Sequence, residues 1–226
     1  MNGAQLNSDR SWNRHRFIYL LVMLLSMMAV APFLANFIHL RFLFNIFLSA
    51  VLISAVYALS QKIWHLAIAA VLAIPMLVSI WSDFFARSDA LFLIGRICGI
   101  SFMGFTIFHI LSHIFKQQEI TKDTIAGATA VYLLLALMWA FVYAVLDRLQ
   151  PDSFAIPAAG ALFGGRDIFI YYSLVTITTL GYGDITPVSY LAGSMAVLEA
   201  VVGQLYLVVL VSWLVGMYVS RKSKRL

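Results

Sequence analysis

Charge is scarce in this chain. Only 11% of its 226 residues are Asp, Glu, Lys or Arg, whereas 62% are hydrophobic. Soluble domains carry roughly 25% charged and about 45–50% apolar residues. A water-soluble fold of this length could not hide so much apolar surface, so the chain is expected to lie in a membrane. Cysteine is nearly absent. Cys98 stands alone, which excludes an intrachain disulfide framework and argues against a cysteine-cluster metal site. The net charge of +5 would suit nucleic acid, but the basic residues sit at the ends of apolar runs, where membrane topology explains them. No nucleic-acid partner is expected. Internal repeats, low-complexity stretches, a catalytic constellation and a nucleotide-binding motif are also missing, so an enzyme reading has no residues to rest on.

What is abundant is long apolar runs. A helix crossing a hydrocarbon core of about 30 Å needs roughly 20 apolar residues. Six stretches meet that measure: 17–38, 42–60, 63–81, 90–115, 125–147 and 188–220. The breaks carry the charge: Arg41, Gln61-Lys62, Ser82-Asp83 with Asp89, Lys116 to Asp123, and a polar insert after Asp147. The second and third stretches are so close that they predict a tight hairpin. With a cytoplasmic N-terminus, the inner side collects Arg10, Arg14, Arg16, Lys62, Lys116, Lys122, Arg221, Lys222, Lys224 and Arg225. The outer side keeps Arg41, Arg87, Arg148 and Arg166, which follows the positive-inside bias. Both termini are therefore expected inside. Arg14 and Arg16 before an apolar run ending near Ala29-Val30-Ala31 imitate a cleaved signal peptide, but the run continues to Phe37-Ile38, longer than a typical signal core.

The chain changes character near Thr121. The first four stretches are packed with Leu, Phe and Ile, and small residues and polar motifs appear after Asp123. This predicts a four-helix peripheral domain over 1–123 and a separate functional domain over 124–226. Between the last two stretches, 151–166 reads as loop, followed by RDIFIYYSLVTITTLGYGDITP. Asp167 can cap a helix running to about Thr178, too short to cross a bilayer. Irregular backbone then follows at Thr179–Gly183, close to membrane depth. Such backbone is tolerated there only when buried in protein or lining a water-filled cavity, so these residues should face a polar path.

TTLGYGD resembles the selectivity-filter signature of potassium channels. Six spans with a re-entrant loop before the last resemble the voltage-gated-like potassium channel superfamily, of bacterial type. Motif-level likeness is confined to 176–187, and the first four spans are similar only in number and direction. The resemblance implies an all-α membrane protein of six transmembrane helices, with a pore helix and filter between the fifth and sixth. It implies potassium held by the carbonyls of Thr179, Leu180, Gly181 and Tyr182 and by the Thr179 hydroxyl, because rings of oxygens replace the ion's water. Gly181 and Gly183 permit the backbone angles that turn successive carbonyls inward. Tyr182 would wedge outward against the pore helices and Asp184 would sit at the outer mouth. One loop cannot encircle an ion, so a homotetramer in the bilayer is implied, with potassium as permeant ion and no cofactor. There are departures: Leu180 replaces a familiar valine, Tyr171 and Tyr172 stand where tryptophans are frequent, and Val175 replaces a glutamate that in some members binds the filter aspartate.

The resemblance also carries a gate hinge to Gly203, for which close helix packing is the competing explanation. Gln204, Leu207, Val211 and Val215 form a helical stripe expected to line the cavity and lower gate. Glu199, an ionisable group inside a span, is either a protonated or hydrogen-bonded carboxyl held behind the filter by pore-helix threonines or tyrosines, or part of gating. His109 and His113, four residues apart, suit interfacial packing or pH sensing better than metal, since no third ligand is near in sequence. The basic RKSKRL tail reads as lipid-headgroup contact or a positive-inside anchor. The fourth stretch carries Arg96 as its only permanent charge, where voltage sensors carry an arginine ladder, so steep voltage gating is not expected. A potassium-uptake subunit is the alternative reading, though such proteins usually hold several degraded pore loops per chain. A regulatory membrane protein that no longer conducts is the third. The compact chain suits a prokaryotic plasma membrane.

Overall fold

The computed structural model describes residues 15–34, 40–59, 63–82, 88–117, 120–156 and 168–223. All six apolar stretches are helical: α1 Arg16–Leu34, α2 Leu40–Ala58, α3 Ile63–Ser82, α4 Asp89–Lys116, α5 Lys122–Leu149 and, last in the chain, α7 Tyr190–Ser223. The short helix α6 spans Ile168–Ile177, and the described strands are β1 Phe154–Ala155 and β2 Thr186–Pro187. Among the described residues, α3, α4, α5 and the Tyr190–Met217 part of α7 are long and apolar enough to cross a membrane. The hairpin at Gln61-Lys62, the Asp167 cap, Arg10, Arg14, Asp83, Arg87, Arg166 and the tail from Lys224 lie outside the described residues.

The chain divides into two compact units, Met1–Val71 with Phe108–Val131, and Leu72–Ile107 with Tyr132–Leu226. This division follows packing, whereas the expected boundary at residue 123 follows composition.

In the first unit α1 packs along α2, and Leu20, Leu24, Leu48, Leu52 and Ala55 are buried. Asp123 Oδ1 accepts hydrogen bonds from the Phe17 and Ile18 N–H groups at 3.0 and 3.1 Å. These are among the donors that a helix N-terminus leaves unsatisfied, and a carboxylate there also suits the helix dipole. A Cβ on Gly127 would lie 2.9 Å from Phe17 Cδ2, so glycine is what lets the first turns of α5 reach Phe17. Arg16 Nη2 lies 2.8 Å from His113 Nε2, which also meets the Gln117 amide nitrogen at 2.7 Å. Since Nε2 faces two nitrogen donors it acts as an acceptor, which leaves it no lone pair for a metal. The His109 ring packs edge-on against His65, centroids 4.5 Å apart. No metal-holding group of three His, Cys, Asp or Glu residues occurs among the described residues.

The second unit is built on aromatics. Tyr143, Phe154, Phe169 and Tyr172 pack edge to face, with Tyr143–Tyr172 and Phe154–Phe169 centroids each 5.0 Å apart, the geometry that aromatic quadrupoles favour. Trp139, Ile168, Ile185 and Ala192 belong to the same core. β1 pairs antiparallel with β2, Phe154 opposite Pro187 and Ala155 opposite Thr186. Ser153 O extends the tie by accepting from Val188 N at 2.8 Å. The segment after α5 is thereby stitched to the segment that leads into α7.

Candidate permeation site

The site begins at the end of α6. The Thr176 and Thr178 hydroxyls donate back to the carbonyls of Tyr172 and Leu174 at 2.8 and 2.6 Å. The helix is closed by N–H groups turning inward on it: Thr179 N to Thr176 O at 3.0 Å, then Leu180 N and Gly181 N both to Val175 O at 2.9 and 3.2 Å. With these amides pointing into α6, the carbonyls beyond them are left to point away.

The backbone alternates in hand. Thr179, Gly181 and Gly183 have φ of 58, 55 and 75°, while Leu180 and Tyr182 between them have no positive φ. Alternation of right- and left-handed residues gathers successive N–H groups on one side and leaves the carbonyls on the other. Glycine reaches the left-handed region freely. A β-branched residue there is an outlier, so Thr179 carries a conformational cost that the composition does not advertise. Its hydroxyl, unlike those of Thr176 and Thr178, engages no protein group among the described residues. A Cβ on Gly181 or Gly183 would meet nothing within 4 Å. The requirement for glycine is therefore conformational and not one of space. Residues 178–184 are exposed, including the Leu180 and Tyr182 side chains.

Asp184 is fixed by two bonds. Tyr171 donates its hydroxyl to Oδ2 at 2.6 Å, and the Ile185 N–H donates to Oδ1 at 3.0 Å. The bond to Asp184 pushes the Tyr171 phenol up to about 12. Val175, at the position where a glutamate would brace the aspartate, is buried and makes no such contact. A tyrosine four residues earlier, at one of the two aromatic positions, makes it instead.

Behind this segment three helices share a buried polar junction. Glu199 of α7 is fully buried. It accepts from the Tyr143 hydroxyl of α5 at 2.5 Å and contacts Ser173 Oγ of α6. Ser173 Oγ also lies 2.7 Å from Ala136 O of α5. The expected partners, pore-helix threonines or tyrosines, are thus replaced by a serine of α6 and a tyrosine of α5. One turn on, Tyr132 donates its hydroxyl to Ile177 O at 2.9 Å. Gly203 faces the same residue, and a Cβ there would lie 2.5 Å from Ile177 Cγ1 and 2.9 Å from Ile177 O. Tyr143, Ser173, Tyr132 and Tyr171 are the residues that sequence reasoning missed as partners. For Ser173 the matching four-residue spacings, Ser173 to Ile177 and Glu199 to Gly203, were an available signal; for the three tyrosines there was none.

The helix α7 runs unbroken past Gly203. Gln204, Leu207, Val211 and Val215 are exposed on it within the single chain. Tyr206 stacks on Tyr132, centroids 6.0 Å apart.

Residues 158–220, which include α6, the alternating segment and most of α7, match a family model described as "Ion channel". No curated protein and no solved structure matches the chain. The match indicates an ion channel, and the apolar helices a membrane protein.

Proposed function

We propose that four copies of this chain surround one axis and conduct potassium passively through a filter formed by Thr179–Gly183. The observation that carries this reading is the alternation of backbone hand at Thr179, Gly181 and Gly183. It gives one chain a wall of carbonyls, and a ring of such walls can replace the hydration shell of a potassium ion. Thr179, Leu180, Gly181 and Tyr182 supply the carbonyls, Thr179 adds its hydroxyl at the inner end, and Asp184 stands at the outer mouth. Gln204, Leu207, Val211 and Val215 line the cavity below, on the helix whose bend at Gly203 would gate it. The pore domain is 124–226. The first 123 residues form a charge-poor peripheral domain, and six spans put both termini in the cytoplasm of a cell with this protein in its plasma membrane.

The proposed channel is not steeply voltage-gated. Moving one charge across the membrane is worth about 2.3 kcal/mol per 100 mV, and steep gating takes some 3–4 charges per subunit. Arg96 is the sole permanent charge within α4 between Asp89 and Lys116. Its guanidinium lies 4.3 Å from the Phe141 ring centroid and 5.2 Å from that of Phe92. Cation–π contacts of this kind hold the charge in place.

Flux through purified protein in liposomes tests the proposal. Wild type should pass potassium and exclude sodium. Gly181→Ala should abolish conduction or discrimination, because alanine in the left-handed region costs about 1–2 kcal/mol in every copy. An unchanged selectivity in Gly181→Ala would overturn the filter assignment.

A further inference from the structure

Glu199 is the only acid in α7, and the hydrogen atoms around it can be counted. Ser173 Oγ lies 2.7 Å from Ala136 O, a carbonyl that can only accept, so the Ser173 proton is committed there. Tyr143 commits its own proton to Glu199 Oε2. The remaining contact, between Ser173 Oγ and Glu199 Oε1, then has no proton from either hydroxyl. We infer that Glu199 is a neutral carboxylic acid in the folded channel, and that its own O–H donates to Ser173 Oγ and locks α7 to α6 behind the filter.

Burial requires the same assignment. An ionised carboxylate with no exposure would need a cation, since an unpaired buried charge is far more costly than a paired or neutral one. The groups that face Glu199 are Tyr143 and Tyr132 from α5 and Tyr172 from α6, none of which carries a positive charge in any protonation state. Among the described residues Glu199 takes part in no salt bridge. As a neutral acid it is fully used: one oxygen accepts from Tyr143 and the other donates to Ser173.

The lock has a second point. Glu199 and Gly203 on α7 meet Ser173 and Ile177 on α6, so a hydrogen bond and a close contact four residues apart set the register between the two helices. Glu199 is in this sense a positioning residue: it touches no ion, but it ties the helix that lines the cavity to the helix that carries the filter. This role rests on the channel reading, whereas the protonation state does not.

Infrared difference spectroscopy on the full-length protein in liposomes at neutral pH, wild type minus Glu199→Gln, should show the carbonyl band of a protonated carboxyl. Loss of carboxylate bands alone would overturn the inference. In the flux assay Glu199→Gln should stay within about twofold of wild type, because the carboxamide can donate to Ser173 and accept from Tyr143. Glu199→Ala, which strands both partners, should fall about tenfold. A Gln variant as poor as the Ala variant, or an Ala variant as good as wild type, would overturn the positioning role. A wild type that passes no potassium would sink the channel reading while leaving the infrared band to decide the protonation state.

Discussion

At Thr179 the chain accepts a backbone conformation that costs an L-residue roughly 1–2 kcal/mol, with φ of 58° on a β-branched residue. The bonds from the next two amides to Val175 O hold it there. A bend forced at this point starts the alternation that Gly181 and Gly183 continue at little cost. The outer end is held by Tyr171, whose bond to Asp184 is exposed and so contributes no more than about 1 kcal/mol. Tyr171→Phe should therefore shorten the conducting dwell time in planar bilayers about fivefold, without loss of folded protein. The pH dependence has a definite sign. The phenol's value rises from 10.0 to about 12, so the protonated donor is favoured in the folded state. Its contribution is complete below about pH 10 and is lost as pH rises towards about 12. Dwell times should shorten over that alkaline window in wild type, and the Phe variant should lack that component.

Among the elements, α5 and α7 are opposites. Of its most apolar window, 67% of α5 is buried inside the chain against 6% of α7. α5 is the wall on which α6 and the polar junction rest, through Ala136 O, Tyr132 and Tyr143. α7 meets α6 at Glu199 on Ser173 and, one turn on, at Gly203 on Ile177. Alanine at 203 must move both the Ile177 side chain and its backbone oxygen, a cost of about 1–3 kcal/mol for overpacking. Gly203→Ala should lower the thermal stability of the assembled protein. Gly193→Ala and Gly216→Ala, with open space at the added Cβ, should be neutral or stabilising, since alanine is favoured over glycine in helices by roughly 1 kcal/mol. A stable Gly203→Ala protein with altered open probability would instead favour the hinge explanation.

For the molecule as a whole, lipid can cover an apolar helix face such as that of α7, but not the irregular backbone of residues 179–183. Val197, Val201, Leu205, Val208 and Val211 of α7 are exposed in one chain, and so are residues 179–183. Cyclic assembly covers both with the same operation, a closed ring of identical interfaces. Cross-linking or mass measurement in detergent should give a tetramer, and a conducting preparation made only of monomers or dimers would refute it. In symmetric potassium the conductance–voltage curve should be shallow, and Arg96→Gln should leave its slope nearly unchanged. A rise from closed to fully open within a few tens of millivolts would show a sensor that Arg96 alone cannot supply.

By itself the sequence determined the solvent and the motif. Apolar runs of spanning length leave a helix no alternative in lipid, because backbone groups must be satisfied within the segment, and all six runs are helical. The glycines of Gly181-Tyr182-Gly183 announced left-handed backbone because only glycine reaches it without strain. What tertiary structure decided is which side chains answer one another across helices. Nothing local to Glu199 points to Tyr143, 56 positions away, and nothing local to Thr179 tells that it joins the glycines in hand. Val175 has no group to offer Asp184, and that Tyr171 braces it instead depended on how α6 packs. Hydrogen bonds of this kind are set by helix rotation and register, and those follow from packing the aromatic core, where no single residue type dictates the outcome.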